Sequence, residues 1–342
     1  MSADLSTPSA GSVAGPYFDD LEVGDRVVDA PAITLTDGHA ALHQAILGDR
    51  LRLSLDAGLS RRVLGAERPL AHPSLVCDMA IGQSTWLTQR VIGNLFYRGL
   101  VLRRPVLLGD TLRTTTTVEA LRENRRREGR APTGLAVLRV TTVDQDDRPV
   151  LDFWRCAMLP LSEGCEPTGR ADDVDAVGTG LSGEALEAVT AGWDLDAFRA
   201  AMPDGAHFAQ LSAPARWAVE GGDVVSCAPE LARMTLNVAV AHHDAVAGGG
   251  RRLVYGGHTI GIAASHLCRA LPNLVTIVAW EGCDHLGPVF EGDTLRSSVE
   301  LTAREPLTAG GGLVHLRVLV RALRSPDEAA EVLDWRLVGV MA

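Results

Sequence analysis

A histidine and an asparagine five residues apart stand out in the second half of the chain, within TLNVAVAHHD at 235–244. The imidazole of His242 titrates near neutral pH, so this side chain can serve as a base under physiological conditions. The amide of Asn237 can hold a water molecule by hydrogen bonds. A base beside a held water is what the addition of water to an electrophilic double bond requires.

Glycines at the start of a predicted helix could supply donors for an oxygen on which negative charge develops during a reaction. Gly256, Gly257 and His258 lie where the helical pattern of 258–271 begins. The first amides of a helix have no partner within it, and the helix dipole directs them at negative charge. Glycine also lets a ligand come close to the backbone. We expect the amides near Gly257 and His258 to lower the barrier by roughly 3–4 kcal/mol, as oxyanion-hole donors do.

The elements that position these groups belong to two copies of one folding unit. The evidence is that segments of the first half return in the same order in the second half. PVLLGDTLR at 105–113 returns as PVFEGDTLR at 288–296, with seven of nine positions identical. The other pairs are GDRVVDAP (24–31) with GDVVSCAP (222–229), GLAVLRV (134–140) with GLVHLRV (312–318), and VLDFWR (150–155) with VLDWR (332–336). We therefore predict that the two GDTLR hairpins lie at equivalent turns of two similar folds.

Each copy has the pattern of one helix followed by four strands. Helical spacing of apolar residues predicts helices over 72–90 and 258–271. The predicted strands are 94–107, 111–121, 134–144 and 150–160, then 275–290, 294–304, 313–323 and 332–341. Consecutive strands after one helix indicate an antiparallel sheet of the α+β class, and one helix wrapped by a curved sheet is the hot-dog fold. We predict a double hot-dog, with a first domain at 1–160, a linker at 161–189 and a second domain at 190–342.

The first copy lacks the groups described above. Within GDRLRLSLD at 48–56, Asp49 takes the position of the asparagine and Ser54 that of the histidine. A hydroxyl of ordinary pKa is a poor base at neutral pH, and Pro73, aligned with Gly257, has no amide N–H to donate. The sequence therefore predicts one active site, in the second copy. The competing interpretation is a composite site in which Asp49 reaches across to the histidine.

Composition and charge exclude several other classes. A formal net charge of −11 lacks the basic footprint of a nucleic-acid-binding protein. No apolar run has the length of a membrane span, and the N-terminus has no signal-peptide pattern. The six cysteines form no C-x-x-C pair and no zinc spacing, which is typical of a reduced, cytoplasmic protein. No nucleotide or metal motif is present, so we expect neither a cofactor nor a metal.

Several motifs together resemble the MaoC-like dehydratases, also called (R)-specific enoyl-CoA hydratases, over nearly the whole chain. They are YFDDLEVGDRV at 17–27, the PVxxGDTLR hairpin, and the AHP or YGGH step before each helix. In that family the loop before the long helix carries G-D-x-N-P-L-H-x-D, whose first Asp and His hold the catalytic water. Some double hot-dog members instead carry T-x-N and a later His-x-Asp, as Thr235, Asn237, His242 and Asp244 do here. The resemblance implies an acyl-CoA thioester as the substrate.

The resemblance also bears on the acyl group. The stretches 34–51, 68–85 and 94–106 look most like family members that act on mesaconyl-CoA or β-methylmalyl-CoA. A dicarboxylic acyl group needs a cation for its free carboxylate, and the candidates are Arg50, Arg52 and Arg98. The prediction is that Arg50 or Arg52 approaches the acyl end of the substrate.

Other functions stay open at this point. A broader (R)-specific enoyl-CoA hydratase or an acyl-CoA thioesterase could use the same fold, although a thioesterase would be expected to place a carboxylate where Asn237 stands. A non-catalytic acyl-CoA-binding module would have no need of His242. That histidine could also be a core residue, Asn237 a helix cap and Asp49 a turn residue. Hot-dog sheets pair edge to edge, so the two copies could stand in for a homodimer, and a further homodimer is compatible with the sequence.

Overall fold

The computed structural model describes residues 13–28, 30–178, 180–181, 183–247, 249–308, 310–325 and 328–342. The elements of the first half are β1 (Arg26–Val27), β2 (Ile33–Thr34), α1 (Asp37–Leu47), α2 (Arg52–Leu55), α3 (Ala57–Leu64), α4 (Pro73–Gln83), β3 (Gly93–Leu102), β4 (Thr111–Glu123), β5 (Thr133–Val143) and β6 (Pro149–Pro160). Those that follow are α5 (Gly183–Val189), α6 (Leu195–Ala201), β7 (Ala215–Ala218), β8 (Asp223–Val224), α7 (Ala228–Met234), α8 (Val240–His243), α9 (Gly256–Ala270), β9 (Leu274–His285), β10 (Thr294–Pro306), β11 (Gly312–Ser325) and β12 (Glu328–Met341). Within the described residues, no helix is both long and apolar enough to cross a membrane.

One antiparallel sheet spans both halves. Its strand order is β1-β4-β5-β6-β3-β9-β12-β11-β10-β7. β3 pairs with β9 near its centre, with Tyr97 opposite Cys283, so the two halves are joined edge to edge. The long helix of each half packs against this sheet: α4 contacts β4, β5 and β9, and α9 contacts β10, β11 and β12. The predicted α+β double hot-dog is confirmed.

Helix α4 is shorter than predicted and ends at Gln83. The hydroxyl of Ser84 donates to Ile81 O at 2.7 Å, and the hydroxyl of Thr85 donates to Gly82 O at 2.7 Å. Such bonds compete with the helical pattern, because a side chain satisfies a carbonyl that the next turn of helix would use. The chain continues through a short 3-10 turn at Trp86–Thr88.

The two GDTLR turns are equivalent, as the repeat predicts. Gly109 and Gly292 both have left-handed backbones, with φ values of 94° and 90°. In the first turn the Asp110 carboxylate accepts from Leu107 N at 2.9 Å. In the second turn the carboxylate of Asp293 accepts from Phe290 N at 3.1 Å. β4 and β10 each begin at the threonine that follows the aspartate.

The loops that carry the predicted catalytic positions are also equivalent. Gly48 and Leu236, each just before the Asp or Asn position, have φ values of 70° and 60°. The amide of Ser54 donates to Leu51 O at 3.1 Å, and the amide of the matching His242 donates to Ala239 O at 3.0 Å. The left-handed conformation suits glycine and is strained for leucine. The second copy therefore keeps the shape of the loop at some cost in backbone energy.

The structure moves two of the residue correspondences between the halves by one position. The first lies at the start of the long helices. α4 begins at Pro73 after His72, and α9 begins at Gly256 after Tyr255. The caps of the two helices have nearly the same backbone angles, with φ of −59° and ψ of 131° at the first and φ of −60° and ψ of 133° at the second. Pro73 therefore corresponds to Gly256 and not to Gly257.

The second shift falls in the last repeat, between β6 and β12. Arg139 of β5 bonds Asp152 and Arg317 of β11 bonds Asp334 in the same bidentate way, so these two pairs correspond. Counting from the aspartates, VLDFWR has one residue more than VLDWR before its arginine. A shift of one residue along a strand turns a side chain to the other face of the sheet. The arginine of β6 is accordingly buried, whereas the arginine of β12 is partly exposed.

Candidate active site

A cavity of about 300 Å³ lies between the two halves. The second half lines it with the loop after α7, the start of α9 and the end of β9, and the first half with the end of α4, the start of β3 and one residue of β6. Its titratable lining residues are Tyr97, Arg155, His242, Tyr255 and His285. Among the described residues, no Asp or Glu lines the cavity. The volume suits a small ligand group, and the lining carries positive charge only.

His242 has a free ring nitrogen at this cavity. Its Nδ1–H donates to Leu253 O at 2.8 Å, which leaves the lone pair on Nε2. Burial lowers the pKa of His242 to about 4, and the charge of Arg155 acts in the same direction. The ring is therefore neutral at physiological pH and can accept a proton at Nε2.

Asn237 has free amide donors at the same cavity. Its Oδ1 accepts from Ala239 N at 2.9 Å, which fixes the orientation of the side-chain amide. Within the described part of the chain, its buried Nδ2 has no hydrogen-bond partner. A side-chain NH₂ group can donate twice, so Asn237 can hold a water molecule or a substrate oxygen.

The first half holds in place the second-half loop that carries Asn237 and His242. Thr85 Oγ1 accepts from Val238 N at 3.0 Å, and Gln89 O accepts from Val240 N at 2.9 Å. A Cβ atom at Gly82 would lie 1.8 Å from Thr235 O, so α4 and this loop approach as closely as only glycine allows. The cavity is complete only when both halves are present.

The start of α9 offers two free amides. Gly256 lines the cavity, and a Cβ atom there would lie 2.7 Å from the ring of His285. Within the described residues, the amides of Gly256 and Gly257 have no acceptor. The amide of His258 donates to Tyr255 O at 3.0 Å and its ring does not line the cavity. Of the predicted donors near Gly257 and His258, the amide of Gly257 is free and that of His258 is bonded, and the residue of this group that lines the cavity is Gly256, because α9 begins two residues earlier than expected.

Four titratable residues of the cavity, Tyr97, Arg155, Tyr255 and His285, were not predicted from the sequence. Burial lowers the pKa of His285, at the end of β9, to about 4. Tyr255 precedes α9, and its hydroxyl donates to Asp78 Oδ1 at 3.1 Å. Arg155 lies in β6 and is 3% exposed. A charged residue within an apolar strand was a signal for Arg155, whereas His285 and Tyr255 lie in stretches without such a signal.

The other predicted substrate-binding arginines lie elsewhere. Arg50 and Arg52 line a second cavity of about 590 Å³ beside the first-half loop, and Arg52 Nε donates to Pro272 O at 2.8 Å. The Arg98 guanidinium lies 4.3 Å from the centre of the Phe96 ring and 3.5 Å from Asp284 Oδ1. Neighbouring residues of a strand point to opposite faces, and Tyr97 lines the cavity, so the Arg98 side chain faces away from it. The structure brings none of the three arginines to the cavity of His242.

The start of α4 provides no free donor of the kind found at α9. Pro73 has no amide N–H, and the amide of Ser74 donates to His72 Nδ1 at 3.1 Å. The hydroxyl of Ser54 is buried and has no partner among the described residues. Among the described residues, the equivalent site of the first half therefore has neither a base at the position of His242 nor a free amide at the first two residues of α4.

Asp49 belongs to a buried network and is not bonded to His242. His43 donates from Nδ1 to Asp49 Oδ2 at 2.5 Å and from Nε2 to Asp78 Oδ2 at 3.3 Å. Asp78 also accepts the hydrogen bond from Tyr255 at the first cavity. Burial opposes a charge on His43, but the two carboxylates outweigh it and raise its pKa to about 9. The buried His43 cation thus pairs with Asp49, and Asp78, whose own pKa is raised by burial, extends the network to Tyr255 at the first cavity.

The hydrogen bonds of this network do not suit a metal ion. Ligand atoms of His43, Asp49 and His72 lie within 4.8 Å of one another. The ring of His72 accepts the Ser74 amide at Nδ1, so its proton is on Nε2, the atom that faces Asp49. Because its pKa is raised to about 9, His43 is protonated on both nitrogens, and in this protonation state neither ring offers a lone pair to a metal.

The buried histidines predict how stability depends on pH. His72, His242, His258 and His285 have pKa values of about 4 because burial disfavours their charged forms. An unfolded histidine has a pKa near 6.5, so the unfolded chain binds more protons as the pH falls from about 6.5 towards 4. Stability conferred by these neutral rings is present above that range and is lost as the pH falls.

His43 acts in the opposite direction, because its folded pKa of about 9 lies above the unfolded value. Its contribution is complete below about pH 6.5 and is lost as the pH rises towards 9. We therefore expect the urea midpoint to be highest near neutral pH and lower at about pH 5 and about pH 8.5. Chemical unfolding at these values checks this, and a midpoint that rises steadily to pH 9 would contradict the cationic His43.

Comparisons with known proteins fit this geometry. No protein-family model matches the sequence. The mesaconyl-CoA hydratase of Cereibacter sphaeroides is 28% identical over 325 residues, which cover 90% of this chain and 89% of that protein. The β-methylmalyl-CoA dehydratase of Chloroflexus aurantiacus is 28% identical over 343 residues, covering 96% of this chain and 93% of that protein.

Solved structures agree on the fold. A conserved hypothetical protein of Mycobacterium tuberculosis with a double hot-dog fold is 50% identical, with a TM-score of 0.89, and the match covers 96% of this chain and 99% of that one. A protein of Chloroflexus aurantiacus assigned as a MaoC-domain dehydratase is 26% identical, with a TM-score of 0.78, over 97% of this chain and 99% of that one.

Proposed function

We propose that this chain, which belongs to the MaoC-like dehydratases of double hot-dog fold, is a hydro-lyase that adds water reversibly across the C=C bond of an α,β-unsaturated acyl-CoA thioester. The observation that carries this proposal is the neutral ring of His242, whose Nε2 lone pair is left free at a cavity. The free Nδ2 of Asn237 and the free amides of α9 complete the set of groups that hydration needs.

The hydration step follows from these groups. The Nδ2–H of Asn237 donates to a water oxygen, and the water donates to Nε2 of His242. As the water oxygen bonds to the β-carbon, His242 takes its proton and the C=C electron pair moves towards the thioester, giving an enolate. The amides of Gly256 and Gly257 donate to the enolate oxygen, where such donors have their largest effect. The proton on His242 then passes to the α-carbon, so one water has been added and the ring is neutral again.

For the acyl group we propose the dicarboxylic pair mesaconyl-CoA and β-methylmalyl-CoA. Both relatives that share most of their length with this chain carry those names. The charge of the cavity supports the same choice, because its described lining holds a cation and no carboxylate. We further propose a cytoplasmic location, which the six unpaired cysteines support.

The purified chain should be mixed separately with crotonyl-CoA and mesaconyl-CoA while the absorbance of the enoyl thioester is followed. A thiol reagent in parallel samples detects free coenzyme A. We expect the absorbance to fall without release of thiol, and to fall faster with mesaconyl-CoA. Release of free coenzyme A would instead assign a thioesterase, and binding with no change in absorbance would assign a non-catalytic module.

A further inference from the structure

Arg155 is a buried cation in the wall of the cavity that holds His242. Its side chain extends from β6, and its Nη2 donates to Ser84 O at 2.7 Å and to Thr88 Oγ1 at 2.8 Å. Its Nε is buried without a partner among the described residues. A guanidinium carries five N–H donors, so the two bonds at Nη2 leave the others available.

Arg155 has no counter-ion within the described residues. The groups whose charges act on it are Tyr97, Tyr255 and Cys156, and burial raises the pKa of each of them, so all three are neutral at physiological pH. Ser84 O at the end of α4 contributes only a partial negative charge. Fully buried arginines are otherwise paired with anions, because an isolated cation is poorly solvated inside a protein. An anionic ligand group would supply the missing charge.

We propose that Arg155 binds the free carboxylate of a dicarboxylic acyl-CoA and thereby determines which acyl groups the site accepts. This inference rests on the proposed function, because it assumes that the acyl group enters the cavity of His242. The thioester oxygen lies at the α9 amides in the reaction above, so the other end of a short acyl chain is free to contact another part of the lining, which includes Arg155. A planar guanidinium with unused N–H groups matches a carboxylate in shape and charge.

The arginine is specific to this one cavity. Among the described residues, no other arginine lines it. Counted from Asp152 and Asp334, the position of Arg155 is occupied in the second half by Leu337, which is fully buried. The extra residue in VLDFWR therefore moves an arginine from the outer face of the sheet to its inner face on one side only. The cation and the catalytic histidine come from different halves of the chain and meet at the same cavity.

The test compares Arg155→Met and Arg155→Lys with the unaltered chain on two substrates, mesaconyl-CoA and crotonyl-CoA. We expect Arg155→Met to lower kcat/KM for mesaconyl-CoA by about a hundredfold or more, the loss typical of an unpaired buried charge partner. The value for crotonyl-CoA, which has no second carboxylate, should fall at least tenfold less than the value for mesaconyl-CoA. Arg155→Lys keeps the charge and should restore part of the preference. Arg139→Met is the matched control, because Arg139 lies in the neighbouring β5 and its guanidinium bonds Asp152 outside the cavity.

Binding of unreactive ligands gives a second readout. Calorimetry with methylsuccinyl-CoA and butyryl-CoA measures carboxylate recognition without any turnover. We expect the unaltered chain to prefer methylsuccinyl-CoA and Arg155→Met to lose that preference. Equal losses for both ligands, or an unchanged preference, would overturn the assignment, since Arg155 would then act on the thioester or on the fold. If the unaltered chain hydrates neither substrate but still shows an Arg155-dependent preference, the hydratase proposal fails and the carboxylate site stands.

Discussion

His242→Ala should lower kcat by roughly 10²–10⁴, the range found when a general acid–base is lost. The reason is that Nε2 of His242 takes a proton from water in one step and returns it to the α-carbon in the next. KM should change less, because the α9 amides and the rest of the cavity still bind the thioester. Steady-state kinetics on mesaconyl-CoA, together with the thermal midpoint of the variant, measure both effects.

The His242→Asn variant tests the ring as a base while it keeps the hydrogen bond that the side chain makes to Leu253 O. The amide of an asparagine can donate to Leu253 O in place of the Nδ1–H of the histidine, but it cannot accept a proton at neutral pH. We expect this variant to be as inactive as His242→Ala while it keeps the stability of the unaltered chain. His39→Ala, at the start of α1, controls for the loss of a histidine elsewhere. An active His242→Asn enzyme would show that the ring is not the base.

Asp49→Asn should lower the free energy of unfolding by about 3–5 kcal/mol, the usual cost of breaking a buried ion pair. Asp49 is 3% exposed and His43 is fully buried, so solvent does little to screen the unpaired charge. With one carboxylate gone the pKa of His43 should fall, and the loss of stability above neutral pH should diminish with it. Urea unfolding at neutral pH and at about pH 8.5 measures both changes.

The same variant decides between a one-sided and a composite site. Because Asp49 bonds His43 and not His242, we expect kcat of Asp49→Asn to stay within the order of magnitude of the unaltered chain. Asp56→Asn is a matched control in the same loop, since Asp56 caps α3 by accepting from Leu59 N at 2.9 Å and an asparagine can accept the same bond. A folded Asp49→Asn chain with the kinetic defect of His242→Ala would mean that the carboxylate takes part in the reaction.

The sequence was sufficient where a local pattern has a local physical cause. The GDTLR turn needs a left-handed glycine and an aspartate that accepts a backbone amide, so its two copies predicted two equivalent hairpins. The strands were predicted to within a few residues at most ends, because the apolar runs are bounded by turn residues. That His242 and Asn237 line one cavity could be expected from the sequence, because both lie on one short loop whose geometry depends on nearby residues.

What the sequence did not predict depends on contacts between distant segments. Asp78 of α4 is hydrogen-bonded to His43 of α1 and to Tyr255 before α9. A pattern within one helix or strand cannot predict such contacts between distant segments. Arg155 was not recognised because the repeat aligned it with Arg336. The two arginines point to opposite faces of the sheet, and Arg155 corresponds to Leu337. The start of α9 was misplaced by two residues, since glycines carry little helical signal.

The pairing of β3 with β9 has a consequence for how the enzyme is assembled in the cell. Two separate hot-dogs would have to find one another, and the fraction of complete cavities would depend on how much protein is present. Here both walls belong to one polypeptide, so closing the cavity is a step of folding with a fixed effective concentration. Dilution therefore cannot dismantle the cavity, because one backbone joins its two walls.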